Sequence, residues 1–402
     1  MYRKRTIEET IKKASNNFSV VMLTGPRQVG KTTVLQNCDS NRKYVTLDNL
    51  ADRKMAIEDP DLFLQKYEPP VFIDGVQYAP NLFSSIKLQV DQQKKKGMYW
   101  LTGSQQFHLM KGVSESLAGR IAILKLQGFS QQEKFDFSIG NVFLDTQSVL
   151  NCQPMKINLM DLYKIIWRGS SPDLVCSDDI DWEMFYDSYV QSYLERDVRD
   201  LGAVSNELTF LKFMRAIAAR TGQLLNYSDI SRDVGVSSPT VKSWLSILQT
   251  SGIIYLLEPY YANLTNRMTK MPKIYFLDTG LACYLTNWQT YQALESGAMN
   301  GAIFETYVVS EILKSFWFHG KRAPLFFYRD KDQKEIDLII ENNWQLIPIE
   351  IKKKTVPDKS DIRNFDVLTS YSSGYENGFV VCLAQDYSFV TERVRAIPIG
   401  YL

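Results

Sequence analysis

One short stretch of this 402-residue chain has the residue types and spacing of a polyphosphate site. Gly25-Pro26-Arg27-Gln28-Val29-Gly30-Lys31-Thr32, followed by Thr33, matches G-x-x-x-x-G-K-[ST]. Small residues let such a loop curl until successive N–H groups face phosphate oxygens. Lys31 then reaches the β and γ phosphates, and the Thr32 hydroxyl is offered to Mg2+. The N-terminus of the following helix adds partial positive charge. Asp74 ends the buried-looking run "PVFID", where a carboxylate holds Mg2+ through its water shell; alternatively, Asp74-Gly75 is simply a turn dipeptide. Ser104, closing "WLTGS", is placed to contact the γ-phosphate or the attacking water. Arg120 in "ESLAGRIAILKL" is either an arginine finger given to the next subunit of a ring or a solvated surface charge.

A second constellation lies near the C-terminus. In "EIDLIIENNWQLIPIEIKKK", strand alternation puts Glu350 and Lys352 on one face, and a turn at Asn342 and Asn343 brings Asp337 beside them. Two carboxylates make an oxygen site for Mg2+, and the lysine stabilises or activates a hydroxide attacking a phosphodiester. This resembles the PD-(D/E)XK nuclease core. The resemblance implies a further acid on a preceding helix, with Glu305 in "FETYVVSEILK" as the best match and Glu311 as its substitute. Lys353 and Lys354 either contact a backbone phosphate or are solvated.

The elements that must position these residues fall into three blocks. Over 1–150, short apolar runs alternate with helical stretches, the pattern of an α/β domain with a parallel sheet covered on both faces. Longer helical periodicities follow over 151–270. Residues 226–262 have the rhythm of a winged helix: a short helix, a turn at Gly235, a second helix near Pro239, then "GIIYLLEPYY" as a hairpin. Its charges are poor for a major-groove reader, although "NRMTKMPK" adds Arg267, Lys270 and Lys273, so DNA and a protein partner are both open. Tyr255, Tyr260 and Tyr261 either stack on bases or serve the core. Residues 271–402 read as a further α/β unit, which the resemblance to the PD-(D/E)XK core implies is restriction-endonuclease-like.

Composition excludes whole classes of function. With 46 Lys and Arg against 45 Asp and Glu, a formal net charge of +1 leaves no global attraction to nucleic acid or anionic membrane. Hydrophobic residues at 45% and charged residues at 23% are those of a folded globular chain. Five cysteines without a C-x-x-C pair indicate neither a disulfide framework nor a zinc cluster. No apolar run approaches the roughly 20 residues that span a bilayer. The expectation is a cytoplasmic protein without a membrane partner.

"GPRQVGKTT", "FIDGVQYAP", "LTGSQQFHLM" and "SESLAGR", in that order, resemble the AAA+ superfamily ATPases of bacteria and archaea that carry a C-terminal domain of unknown function. The likeness continues through "YLERDVRDL", "KIYFLDTGLACYL" and the two C-terminal stretches. It implies ATP or ADP with Mg2+ as cofactors and a homo-oligomer as the working form. In that family the residue after the strand-ending aspartate is usually glutamate, and here it is Gly75. Gln77 offers only an amide, a poor base. Loss of a positioned general base costs on the order of 10^2 to 10^4 in rate, so binding with slow turnover is expected. Two functions follow: an ATP-regulated, Mg2+-dependent nuclease, or a nucleotide-stabilised switch or scaffold with a vestigial nuclease fold.

Overall fold

The computed structural model describes residues 2–103, 116–137, 153–194, 206–261, 271–343, 345–371 and 374–402. The N-terminal unit is a five-stranded parallel sheet in the order β2-β3-β4-β1-β5, from β1 (Val20–Thr24), β2 (Lys43–Thr46), β3 (Val71–Asp74), β4 (Tyr99–Gly103) and β5 (Ile121–Lys125). Every residue of β1 and β4 is buried, which is why these strands are unbroken apolar runs with no alternation. Side chains of β1 divide between two cores. Val20 and Met22 pack with Phe83, Ile86 and Val90 of the helix Leu82–Gln93. Val21 and Leu23 pack with Ile7 and Ile11 of the helix Ile7–Asn17 and with Val34 and Leu35 of the helix Lys31–Cys38. The expected boundary at 150 lies outside the described residues.

Helices Leu159–Arg168, Trp182–Tyr193, Glu207–Ala218, Tyr227–Val234 and Ser238–Thr250 follow, each begun by a side chain that accepts from backbone N–H groups: Asn158, Asp181, Asn206, Asn226 and Ser237. Gly235 ends the fourth in the left-handed conformation, φ +85°, as a C-terminal stop requires. A small sheet in the order β6-β8-β7 comes from β6 (Gln223–Leu224), β7 (Ile254–Leu257) and β8 (Lys273–Phe276).

Here the structure corrects the sequence reading. The hairpin does not close within "GIIYLLEPYY": β7 pairs antiparallel with β8, so the expected boundary at 270 falls inside the hairpin. Pro259 lacks an N–H for a ladder, and the chain leaves the small sheet there to bridge Phe327. Tyr260 is buried among Phe326 and Tyr371, and Tyr255 packs on Trp317, so these two rings serve the core.

The C-terminal unit begins with the helix Asn300–Trp317, whose residues from Ile303 to Phe316 are almost all buried. A six-stranded mixed sheet runs β13-β14-β12-β11-β10-β9, from β9 (Leu325–Arg329), β10 (Glu335–Asn342), β11 (Gln345–Ile351), β12 (Gly378–Cys382), β13 (Ser388–Phe389) and β14 (Val394–Pro398). Strands β9, β10 and β11 form an antiparallel meander, and the 3-10 helix Arg363–Ser370 carries the chain across to β12, parallel to β11. Among the described residues no helix is long and apolar enough to cross a membrane.

Candidate functional site

The phosphate loop leaves the C-terminal end of β1, where a parallel sheet opens its crevice. Gly25 has φ +152°, and a Cβ there would lie 2.0 Å from the Leu126 carbonyl oxygen, so only glycine fits. Gln28 and Gly30 also have positive φ, which curls the loop into the helix starting at Lys31. Gly30 caps that helix with no side chain, so no side-chain cap competes for its first N–H groups, the arrangement that suits an anion. The Lys31 ammonium folds over the loop and donates to the carbonyls of Gly25 (2.9 Å) and Pro26 (2.6 Å). Pro26 and Val29 are buried, whereas Thr33 faces solvent.

Thr32 Oγ1 donates to Asp74 Oδ2 at 2.7 Å, joining the loop to the end of β3. Thr102 of β4 and, at 3.3 Å, Tyr44 of β2 donate to the same carboxylate. A hydroxyl and a carboxylate paired beside an uncapped helix N-terminus form the donor set that suits Mg2+ and phosphate oxygens. Asp74 and Thr32 thus meet as the sequence led one to expect. Gly75, just beyond, sits at φ +82°, ψ +34° and opens the one-turn helix Val76–Tyr78. Within that turn Gln77 keeps its amide oxygen buried with no hydrogen-bond partner.

A residue the sequence reading overlooked supports the loop from beneath. Arg5 is 2% exposed and donates to the carbonyls of Val29 (3.1 Å), Gln127 (2.8 Å) and Gly128 (3.2 Å). Its Nε pairs with buried Glu133 at 3.1 Å, and the guanidinium lies over the rings of Phe129 and Phe318. In "MYRKR" it is indistinguishable from its solvated basic neighbours. Arg27 and Gln28 line a small pocket against the helical unit, with Ser170, Tyr186 and Asp278 opposite.

Ser104 lies outside the described residues. Arg120 makes a two-pronged ion pair with Asp91, 2.5 and 2.9 Å, on the exposed surface. It precedes β5, whose first residue is level with Val20, so the phosphate loop of its own chain lies a strand length away, roughly 16 Å at about 3.3 Å per residue.

In the C-terminal sheet the antiparallel register Leu338↔Ile349 sets Asp337 opposite Glu350. Lys352 Nζ lies 2.6 Å from Glu350 Oε2 and 3.4 Å from Asp337 Oδ2, so the three expected residues do converge. The Ile351 N–H donates to Asp337 Oδ2 at 2.9 Å. Glu350 is 3% exposed, and its Oε1 is buried with no partner. Burial and the neighbouring Asp337 push its carboxyl up to about 9. Burial works the same way on Asp337, but Lys352, Lys273 and hydrogen bonds hold it below the usual carboxylate range.

Glu305 reaches the same region on the helix Asn300–Trp317, accepting from Tyr275 Oη (2.6 Å) and Lys273 Nζ (3.0 Å). Lys273 is 3% exposed and also pairs with Glu335 Oε1 at 2.5 Å. It is therefore no surface contact for a nucleic acid, as the sequence reading had it. Alternation in "KIYF" puts Lys273 and Tyr275 on one face, the signal that could have marked them. Arg267 and Lys270 lie outside the described residues.

Three further residues of the sequence reading have partners within the chain. The Glu311 carboxylate accepts from the Gln131 N–H (2.7 Å) and pairs with Lys314 (2.8 Å), tying the helix to the N-terminal unit rather than reaching Asp337. Lys353 is held by Glu295 at 2.6 Å, and Lys354 by Asp358 and Asp361, so both are engaged within the chain. Among the described residues no three His, Cys, Asp or Glu side chains group closely enough to hold a metal ion.

Comparison with known proteins agrees with the first unit. Residues 17–135 match the family described as AAA domain (AAA_14). Residues 159–292 and 300–402 match two domains of unknown function, DUF8612 and DUF4143. The uncharacterized proteins Rv2008c of Mycobacterium tuberculosis and Mb2031c of Mycobacterium bovis are each 27% identical over 364 residues, 90% of this chain and 76% of theirs. Among solved structures, the Walker-type ATPase paby2304 of Pyrococcus abyssi is 15% identical, with a TM-score of 0.44 over 71% of this chain and 96% of that one. A STAND protein with a tetratricopeptide repeat sensor, PH0952 of Pyrococcus horikoshii, is 11% identical with a TM-score of 0.27, over 77% and 47%. The N-terminal unit is thus similar to AAA-type P-loop domains, and the two units after it match domain families of unknown function.

Proposed function

We propose that this protein holds Mg·ATP with slow turnover and couples its nucleotide state, through assembly with further copies, to a nuclease-like C-terminal centre acting on DNA. The observation that carries the reading is the Thr32–Asp74 hydrogen bond of 2.7 Å beside a Gly75 that supplies no carboxylate. Mg2+ would be held by the Thr32 hydroxyl and, through water, by Asp74, with ADP or ATP phosphates on the loop amides and Lys31; the ion supplies charge neutralisation at the phosphates. With no base following Asp74, water near the γ-phosphate goes unactivated, and Gln77, its amide oxygen buried, is a poor replacement. In an oligomer, Arg120 would act on a neighbour only by exchanging Asp91 for phosphate.

Support for the nuclease-like reading is the order helix, three-stranded meander, helical crossover, parallel strand, with Asp337, Glu350 and Lys352 at one place on the meander. The order β6, two helices, β7–β8 hairpin supports a winged helix. Its Arg232 is paired with Asp229 and its Lys242 lies over Tyr227, which favours protein docking over groove reading. The second reading, a switch with a vestigial nuclease fold, is favoured by the lysine that already neutralises Glu305 and Glu335.

Three measurements on the full chain test this: binding of a fluorescent ATP analogue with and without Mg2+, phosphate release, and cleavage of plasmid DNA. Mg2+-dependent binding lost in Lys31→Ala, with phosphate release at least about a hundredfold below a typical turnover of ~10 per second, is expected. Cleavage lost in Glu350→Ala marks the nuclease, and nucleotide-dependent change of mass without cleavage marks the switch. Rapid wild-type turnover overturns the slow-hydrolysis reading.

A further inference from the structure

We propose that a cavity between the N-terminal and helical units binds a small organic anion, a carboxylate or phosphate head on an apolar body. The proposal stands apart from the nucleotide and nuclease readings. The cavity holds about 380 Å3, inside the roughly 300–1,000 Å3 of small-molecule sites. Arg3, Lys134 and Phe135 of the N-terminal unit form one wall, and the helix Leu159–Arg168 lies opposite. Asp161, Lys164, Ile165 and Arg168 recur three to four residues apart and line the cavity, while Leu162, Tyr163 and Ile166 of the same helix are buried in the core.

Five cationic side chains face two carboxylates there, a local excess in a chain whose formal net charge is only +1. The acids do not cancel it. Asp161 is tied to Asn158 at the start of its own helix, and Asp178, almost wholly in solvent, stands 3.9 Å from Arg168 Nε. The arginines are positioned by carbonyls, which fix a cation without neutralising it: Arg168 donates to Leu174 (2.8 Å) and Ser177 (2.7 Å), and Arg3 to Lys134 (2.7 Å). Among the described residues Lys156 and Lys164 pair with no carboxylate. Lys134 Nζ likewise donates to a carbonyl, that of Gly169, at 3.0 Å. Burial and the neighbouring Lys314 pull its ammonium down to about 8, so a cation held at this wall costs stability that a bound anion would offset. A second observation is apolar. Phe135 is 43% exposed on the same wall, with Met155 and Leu174 also facing the cavity. Cations without carboxylates beside a bare aromatic ring suit an amphipathic anion better than a bare phosphate ion.

The test is fluorescence titration of the full chain with 8-anilinonaphthalene-1-sulfonate, an aromatic body carrying one fixed negative charge. A single saturable site is expected. Reversing two exposed lysines together, Lys156→Glu with Lys164→Glu, should weaken binding about tenfold or more and leave the melting transition unchanged, since neither side chain is buried. Phe135→Ser should weaken it as well. The uncharged N-phenyl-1-naphthylamine should bind about tenfold or more weakly than the sulfonate, and millimolar inorganic phosphate should not displace the probe. Lys31→Ala should bind the probe as wild type does, which separates this cavity from the nucleotide site. Octanoate and octyl phosphate as competitors read the head group: displacement by either supports the proposal and gives the class of anion. The proposal is overturned by any one of five results: no saturable binding, equal binding by the charge-reversed chain or by the uncharged analogue, loss in Lys31→Ala, displacement by inorganic phosphate, or displacement by neither competitor.

Discussion

Replacing Gly75 with glutamate restores, on paper, the carboxylate that AAA-type ATPases use to activate water, yet the backbone predicts that it fails. Gly75 lies at φ +82°, ψ +34°, fixed by its N–H donating to the Thr102 carbonyl at 3.1 Å. An L-residue in this left-handed region costs about 1–2 kcal/mol. The three atoms nearest an added Cβ are Cδ2 and Cε2 of Tyr78, at 3.3 and 3.4 Å, and Cβ of Leu47, at 3.8 Å. A side chain starting there leads toward Tyr78 and Leu47. At about 2–4 °C per kcal/mol for a domain of this size, Gly75→Glu should melt roughly 2–8 °C below wild type. Gly75→Ala should match it, because the cost lies in the backbone. Phosphate release from Mg·ATP should stay within about tenfold of wild type, against the 10^2 to 10^4 that a working base contributes. A rise of a hundredfold or more with an unchanged melting temperature would refute the reasoning, since it would mean that the turn relaxes freely and that only the missing carboxylate limits turnover.

Other expectations follow from particular contacts. Gly25→Ala drives a Cβ into the Leu126 carbonyl and should weaken nucleotide binding by about two orders of magnitude or more, ~2.7 kcal/mol, in an equilibrium titration. Arg5→Met strands buried Glu133 and three carbonyls, so chemical denaturation should show a loss of about 3–5 kcal/mol, with weaker ATP binding through Val29. Glu350 has a folded-state pKa raised to about 9, so the native state keeps its proton where the unfolded chain has lost it. That contribution is complete below the ordinary carboxylate range and lost as pH rises through about 9. Stability should therefore fall between pH 7 and 9 by up to about 1.4 kcal/mol per unit, and Glu350→Gln should flatten the slope in melts across that range.

Motif chemistry was legible where one loop or one strand pair sets it. The curl of Gly25 to Gly30, the approach of Thr32 to Asp74 and the pairing of Asp337 with Glu350 and Lys352 all follow from local backbone geometry. The alternation of apolar runs with helices likewise announced a parallel sheet. The hairpin was misjudged because its return strand, β8, lies beyond a stretch without an apolar pattern, and only pairing with β7 reveals it.

By itself the sequence determined the loop pattern and the residue types from which phosphate and metal roles are proposed, since such patterns depend on residue type and spacing along a few residues. Tertiary structure decided which charges those residues meet. Arg5 reaches Gln127 across 122 positions, Glu311 meets Gln131 across 180, and Lys273 meets Glu305 across 32. Long cationic side chains look alike in sequence whether solvated or buried. Only the packing of one unit on another removes them from water, and in removing them it fixes their partners.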